Sequence, residues 1–542
     1  MDIKQLRETA DNLFGKKSPL NSLHQEIADQ FYPERADFTL TRSLGQDFAS
    51  NLMSSYPVWC RRTMGNDFGT MLRPTARPWF HTERKNENDK DNTELKQWLQ
   101  WAERTQRRAM YHKDTLFTRA TKEGDHDFAA FGQCAISVEM NSLANGLLYR
   151  CWHLRDMAWQ EDEEGKIGFV ARKWKPTAQT LVRTFKDRVH DKVKTLAGKT
   201  PFDEVECLHI VCKADMYDKG TTAPRWSIFY DVQNDHVMLE VGIKTRHYVI
   251  PRWQTVSGSQ YSFSPATVCA LPDARLLQAM TFTLLEAGEK AARPPLIATQ
   301  GVVRSDLAVY SGGVTWVDEE YDERLGAALK PLEQDFRGFN YGVQMNQDTR
   351  LMLHNAFFLD ALKLPERAPE MTAYEVGQRV QEYIRSALPL FEPMEAEYNA
   401  AICDETFEVM LHANGFGDPR GWPKGLRGAE IDFSFESPLH DVIEEQKGQK
   451  FTQSLQLIGQ AIALDPASAL VQKTEFALRD ALLGIGVPAN WLNSEAQVNE
   501  QKKQQQDQQA NQQKLAAIEQ ASNAAKNFGQ SGLLPATQAT PA

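Results

Sequence analysis

No stretch of this chain approaches the roughly 18–20 consecutive apolar residues that a membrane-spanning helix needs, so such a span is excluded. A signal peptide is missing too. Residues 1–15, MDIKQLRETADNLFG, form a charged helical pattern, and the expectation is a soluble protein that matures in the cytoplasm. Cysteine is sparse: Cys60, Cys134, Cys151, Cys207, Cys212, Cys269 and Cys403 are odd in number and scattered, which favours reduced thiols over a disulfide framework. Catalytic signatures are absent as well, with no HExxH, GxSxG or paired CxxC. Gly15-Lys16-Lys17-Ser18 and Gly198-Lys199-Thr200 end like a phosphate-binding loop, but the glycine required five residues earlier is Ala10 in one and Val193 in the other. The 12 histidines stand singly, and the GDHD run from Gly124 to Asp127 lacks further ligands around His126, so it reads as a solvent-facing turn. Basic charge is in deficit. Lys and Arg number 61 against 72 Asp and Glu, and the net charge of −11 opposes an ordinary sequence-specific DNA binder, which gains affinity by neutralising phosphates. It leaves room for nucleic acid that slides past without sticking.

What is present is ordinary globular material. With 542 residues, 42% hydrophobic and 25% charged, the chain can bury enough apolar surface to fold, in about three or four packed units. Residues 1 to about 60 read as helices: Leu6, Leu13, Leu20, Leu23, Ile27 and Phe31 recur at helical intervals, and Phe48, Leu52 and Met53 continue the pattern. Pro74 and Pro78 in MLRPTARPWFHT predict an extended segment anchored by Trp79 and Phe80. Residues 92–140 are helical in pattern. From Leu147 the texture turns to short β-type runs, LLYRCWHL, KIGFVARKWK, ECLHIVCK, RWSIFYDV, HVMLEVG and RHYVIPRWQTV, a mixed α+β region ending near Gly258. Cys207, His209 and Cys212 are metal-type residues close together, yet Val205, Leu208, Ile210 and Val211 around them mark a buried strand instead.

The most informative part runs from Ser264 onward. Ser264-Pro265 can cap and open a helix, Pro272 marks a kink or restart, and Leu276, Leu277, Met280, Leu284, Ala287 and Ala291 carry it on until Pro294-Pro295. Residues 294–335 have a β-type pattern and an acidic run, with eight acidic and three basic residues, about −5 locally. A docking surface for a basic partner and a solvated loop both fit that run. A second helix, weakened by Gly338 and Gly342, is clear across TRLMLHNAFFLDAL, and the two prolines of KLPERAPE stop it. Thr372 and Glu375 then satisfy a capping box, Pro389 and Pro393 predict kinks, and a helix with Phe407, Val409 and Met410 ends at Asn414-Gly415. Residues 445–483 are mostly helical in pattern, and the Gln- and Ala-rich segment after Gln501 reads as a frayed or partner-dependent helix with a disordered end.

These segments resemble the bacteriophage head-to-tail connector (portal) proteins of short-tailed, T7-like phages, from the N-terminal helices to the Gln-rich tail. The most specific match is RLMLHNAFFLDALKLPERAPEMTAYEVGQRVQE, Arg350 to Glu382, supported by MLRPTARPWFHT, DFAAFGQCAISVE and PRWQTVSGSQYSFSPATVCALPDARLLQ. Where the family has Tyr-Gly-x-Gly-Pro, this chain has Tyr261-Ser262-Phe263-Ser264-Pro265. The resemblance implies an α+β portal fold, mostly helical, with a β-rich wing part and a small α/β clip. Residues 1–263 would be most of the wing, 264–293 and 336–362 the stem, 294–335 the clip and 363–371 the tunnel loop. Residues 372–439 would be a kinked helix and wing return, 440–500 the crown and 501–542 the tail.

It further implies a non-enzymatic ring of typically twelve subunits at one capsid vertex, in the virion's head-tail junction after assembly in the host cytoplasm. Double-stranded DNA would pass through it without sequence-specific binding. The expected partners are other copies of the chain, the terminase large subunit, tail adaptor proteins, and capsid and scaffolding proteins, with no membrane, cofactor, metal or catalytic residue. Lys363 and Arg367 become candidates for rings of positive charge near the DNA. Asp318, Glu319 and Glu320 become candidates for partner docking at the clip. The alternatives are another virion ring or adaptor of the same junction, which would lack the helix-excursion-helix order, and a cytoplasmic enzyme, which would need a clustered site.

Overall fold

Asp2 opens the first helix, α1 (Ile3–Phe31), with a capping box: its carboxylate accepts the Ile3 N–H, and its own N–H donates to Gln5 Oε1 at 3.0 Å. Leu6, Ala10, Leu13, Lys17, His24, Ile27 and Phe31 form one buried stripe on it. Gly15 to Ser18 therefore lie inside a helix. In this computed structural model the described residues are 2–84, 93–298, 338–360, 393–418, 431–435 and 451–461, apart from 44, 76–77 and 218–222, with scattered positions elsewhere. The chain divides into two compact units, residues 1–90 with 94–439 and residues 91–93 with 440–542. In the second, a helical run covers 451–461; the elements below belong to the first.

The expected helix through Phe48, Leu52 and Met53 is not formed. Beyond a 3-10 turn at Pro33–Arg35 the described residues are irregular until α2 (Tyr56–Leu72). The segment has no apolar face to bury, since Phe48 and Met53 stay 44% and 41% exposed. Asp47 also takes the Ala49 N–H into a local turn at 2.9 Å, in competition with helix. After α2, Trp79 and Phe80 are fully buried, and β1 (Phe80–Arg84) pairs antiparallel with the last strand, β14 (Ile431–Phe435).

Helices α3 (Thr93–Met110) and α4 (Phe117–Phe131) follow. The helical pattern of 92–140 stops early, because Gly132 takes φ +72° and turns the chain into β2 (Ile136–Met140). The GDHD run is not a solvent-facing turn either. It lies within α4, with Gly124, Asp125 and Asp127 buried.

Strand β2 is the middle of a three-stranded sheet with β3 (Leu147–Cys151) and β9 (Tyr248–Val249). A five-stranded antiparallel meander holds β4 (Met157–Glu161), β5 (Ile167–Trp174), β6 (Cys207–Lys213), β7 (Arg225–Asp231) and β8 (His236–Ile243) in sequence order. Central β6 is buried on both sides. Leu208, Ile210 and Cys212 pack with Leu6, Ala10 and Leu13 of α1, and Cys207 packs with α5 (Ala178–Phe185) and α6 (Asp191–Lys199). That two-sided burial explains the near-continuous apolar run, as the strand expectation required. A single turn, α7 (Ala214–Tyr217), precedes β7, and the short pair β10 (Gln254–Thr255) and β11 (Ser262–Phe263) leads into the next helix.

That helix, α8 (Pro265–Ala292), runs unbroken through Pro272. At about 1.5 Å per residue it is about 42 Å long. Strands β12 (Leu296–Ala298) and β13 (Leu329–Pro331) pair antiparallel at the base of the excursion, and α9 (Gly338–Ala356) returns alongside α8. Helix α10 (Ala400–His412) ends as its sequence indicates: Asn414 takes φ +56° and the Gly415 N–H donates to Met410 O at 2.7 Å.

Candidate functional site: a helical hairpin on a polar anchor

Three hydroxyls fasten α8 to the end of α4. The last carbonyls of a helix lack intrahelical partners, and here Ser264 Oγ donates to Ala129 O at 2.7 Å, Thr267 Oγ1 to Ala130 O at 2.8 Å and Ser262 Oγ to Gly132 O at 2.6 Å. Ser264 also caps its own helix, accepting the Thr267 N–H. Thus the two serines that stand where the family has glycines supply two of the three hydrogen bonds of the joint. Gly132 lets it close, since a Cβ there would lie 2.1 Å from the Phe263 carbonyl carbon.

Below the joint, α4 is held by buried ion pairs. Asp125 pairs with Arg73, whose guanidinium also donates to Asn399 Oδ1 at 2.7 Å and lies over the Tyr398 ring. Asp127 accepts from Arg35 at 2.8 Å. Burial raises the Asp125 carboxyl from its ordinary value while Arg73 draws it down. Removing one partner of such a pair typically costs about 3–5 kcal/mol, because the other charge is left buried and alone.

The hairpin leaves this base progressively bare. Ala266, Thr267, Ala270, Leu271, Ala274 and Leu277 of α8 are buried, whereas Phe282 and Leu285 further along are 53% and 55% exposed. Asn346 of α9 donates to Thr281 Oγ1 at 3.1 Å, and Gly342 passes close enough that a Cβ would sit 3.0 Å from Leu284. The helices are therefore antiparallel. Gln278 accepts the Met53 and Ser54 N–H groups at 2.8 Å each, Arg275 Nε donates to Glu26 at 2.7 Å, and the Arg350 guanidinium lies 5.7 Å from the Tyr56 ring centroid. Exposed apolar side chains also dot α9, with Tyr341 at 67% and Met352 at 56%. The helical spacing of these side chains was present in the sequence and not singled out there.

Lys363 and Arg367, and likewise Asp318, Glu319 and Glu320, lie outside the described residues, as does the capping box at Thr372. Cys207, His209 and Cys212 are where a buried strand puts them, with His209 Nε2 2.8 Å from Ser227 Oγ and Nδ1 2.6 Å from Tyr248 OH. Among the described residues no group of three or more His, Cys, Asp or Glu is placed to hold a metal, and no helix is long and apolar enough to cross a membrane.

A helical hairpin carried on a firmly anchored α+β body is the arrangement expected of a connector, and comparison with known proteins agrees. The family described as "Bacteriophage head to tail connecting protein" matches residues 3–492. The chain belongs to that family. Among curated proteins it is 24% identical over 432 residues to the "Probable portal protein" of Bordetella phage BPP-1, covering 77% of this chain and 75% of that one. It is 20% identical over 479 residues to the "Portal protein" of Salmonella phage epsilon15, covering 86% and 83%. A solved structure titled "Neck of empty GTA particle computed with C6 symmetry" aligns over 80% of this chain and 94% of its own, at 11% identity and a TM-score of 0.33. This head-to-tail connecting protein is a structural part of the virion's head-tail junction and not an enzyme. Its helices and open sheets make it α+β, the class that the resemblance implied.

Proposed function

We propose that this connector assembles as a ring of twelve copies around an axial channel through which double-stranded DNA enters the head during packaging and leaves it on ejection. In this reading residues 264–293 and 336–362 are the stem, 294–335 the clip, 363–371 the tunnel loop and 1–263 most of the wing. Residues 372–439 return to the wing, 440–500 form the crown and 501–542 extend it. The single observation that carries the proposal is the hairpin of α8 and α9, an anchored two-helix layer whose free length exposes large apolar side chains that a lone subunit leaves in water. Both curated relatives bear the name portal protein, which supports the same role.

The clip residues Asp318, Glu319 and Glu320 would dock the terminase large subunit before filling and tail adaptors after it, while capsid and scaffolding proteins meet the body. Lys363 and Arg367 would touch DNA phosphates from the tunnel loop. Native mass spectrometry and negative-stain imaging of the purified protein test the central claim. A closed ring of about twelve copies with an open axis is expected, and a stable monomer or dimer at high concentration would overturn it.

A further inference from the structure

The hairpin is apolar on both of its broad faces. Its sides are fixed by contacts: Gln278 of α8 bonds residues 53 and 54, and Arg350 of α9 lies over Tyr56, so both point to the near face, the side of segment 53–56. At about 100° per residue, Phe282 and Leu285 fall on the same flank of α8 as Gln278, and Phe339 and Val343 on the same flank of α9 as Arg350. On the opposite, far face lie Leu276 of α8 and Tyr341, Met345 and Met352 of α9. The helices being antiparallel, each set of four comes together on one side of the layer. All eight are at least 37% exposed.

Such a layer discriminates between ways of covering it. An isologous pair buries the same patch on both copies and leaves each copy's other face in water. A heterologous contact, repeated from copy to copy, covers both. We infer that the far face of one subunit's hairpin, Leu276, Tyr341, Met345 and Met352, packs on the near face of the next subunit's hairpin, around Phe282, Leu285, Phe339 and Val343. The inference rests on the connector reading and says which surfaces join its copies. The area suits the task. Along α9 the layer is about 28 Å long and about 20 Å wide, on the order of 560 Å² in projection, most of the about 800 Å² per partner of a standard interface.

The test uses full-length chains and native mass spectrometry. Met345→Glu disables the far face and Phe282→Glu the near face, and each variant alone is expected to lose the ring and run as a monomer. Mixed in equal amounts they should form a one-to-one heterodimer and stop there, because each supplies the face the other lacks. Tyr341→Glu and Leu285→Glu, at sites more than half exposed, should repeat the pattern without loss of helicity by circular dichroism. Rings from any single variant, homodimers of one variant, or a mixture that remains monomeric would each overturn the pairing. Failure of the unmodified chain to form a ring would instead overturn the connector reading itself.

Discussion

His247 is a half-buried residue at φ +66°, its N–H donating to Glu405 Oε1 at 2.6 Å and its ring edge-on to His209 and Tyr248. Burial, with Arg172 beside it, pushes its imidazole down to about 3, and burial with Arg61 pushes His126 down to about 4. In the unfolded chain both titrate near about 6.5. Below that pH the unfolded state takes up protons that the folded state refuses, so stability is present above about 6.5 and is lost as pH falls, by about 1.4 kcal/mol per unit for each such ring. Glu405, raised by burial, titrates with the opposite sign, so the useful comparison is variant against parent. His247→Asn keeps a residue that tolerates positive φ, and its melting temperature should fall less steeply between pH 6.5 and 4. An unchanged acid slope would mean that the folded ring is already protonated. Residue-level burial was the least legible part of the sequence. Asp125 and Asp127 looked like turn residues because their partners, Arg73 and Arg35, come from distant segments, and Lys17, whose ammonium donates to Leu154 O and Met157 O at 2.5 and 2.6 Å, carried no local sign of burial.

Elements were legible where their ends carry chemistry. Ser264-Pro265, Pro294-Pro295 and Asn414-Gly415 each mark a helix end that the structure places at or within two residues of those positions. Pro272 did not interrupt α8, because the carbonyl it leaves without a partner belongs to Val268, which is half exposed to water. The short helices α5 and α6 went unread between β-type runs. Their eight and nine residues give too few turns for a period to show, although Thr177 caps the first. The hairpin's joint with α4 was hidden for a different reason: its hydroxyl partners lie some 130 residues apart in sequence. It predicts a large local effect. Gly132→Ala must hold φ +72° with a Cβ 2.1 Å from the Phe263 carbonyl carbon, a left-handed penalty plus overpacking of together about 2–5 kcal/mol. Thermal unfolding should register it as a marked drop in melting temperature. A melting temperature equal to the parent's would show that segment 261–264 can move away from α4 at no cost.

At the scale of the whole molecule, the net charge of −11 per chain would make the proposed twelve-fold ring carry roughly −130. Charge screens over about 8 Å at physiological salt, so that total does not act on the DNA as a sum. Only groups within about that distance of the duplex set its friction. An acidic wall repels phosphates and denies the counterion-releasing contacts that would pin the duplex, and Lys363 and Arg367 would be the local exceptions. Reversing both to Glu changes the charge by four per copy, and in the proposed ring of twelve the tunnel-loop reading would concentrate that change at one level of the channel. Rings should still assemble, since the inferred interface lies on α8 and α9, while DNA retained in filled heads should fall. Unchanged packaging and retention would sink the tunnel-loop role. The proposed clip would make the opposite demand, because an acidic docking surface gains from a basic partner. Replacing Asp318, Glu319 and Glu320 by their amides should weaken capture of the terminase large subunit and flatten its salt dependence, whereas unaltered capture across a salt series would return those residues to a solvated loop.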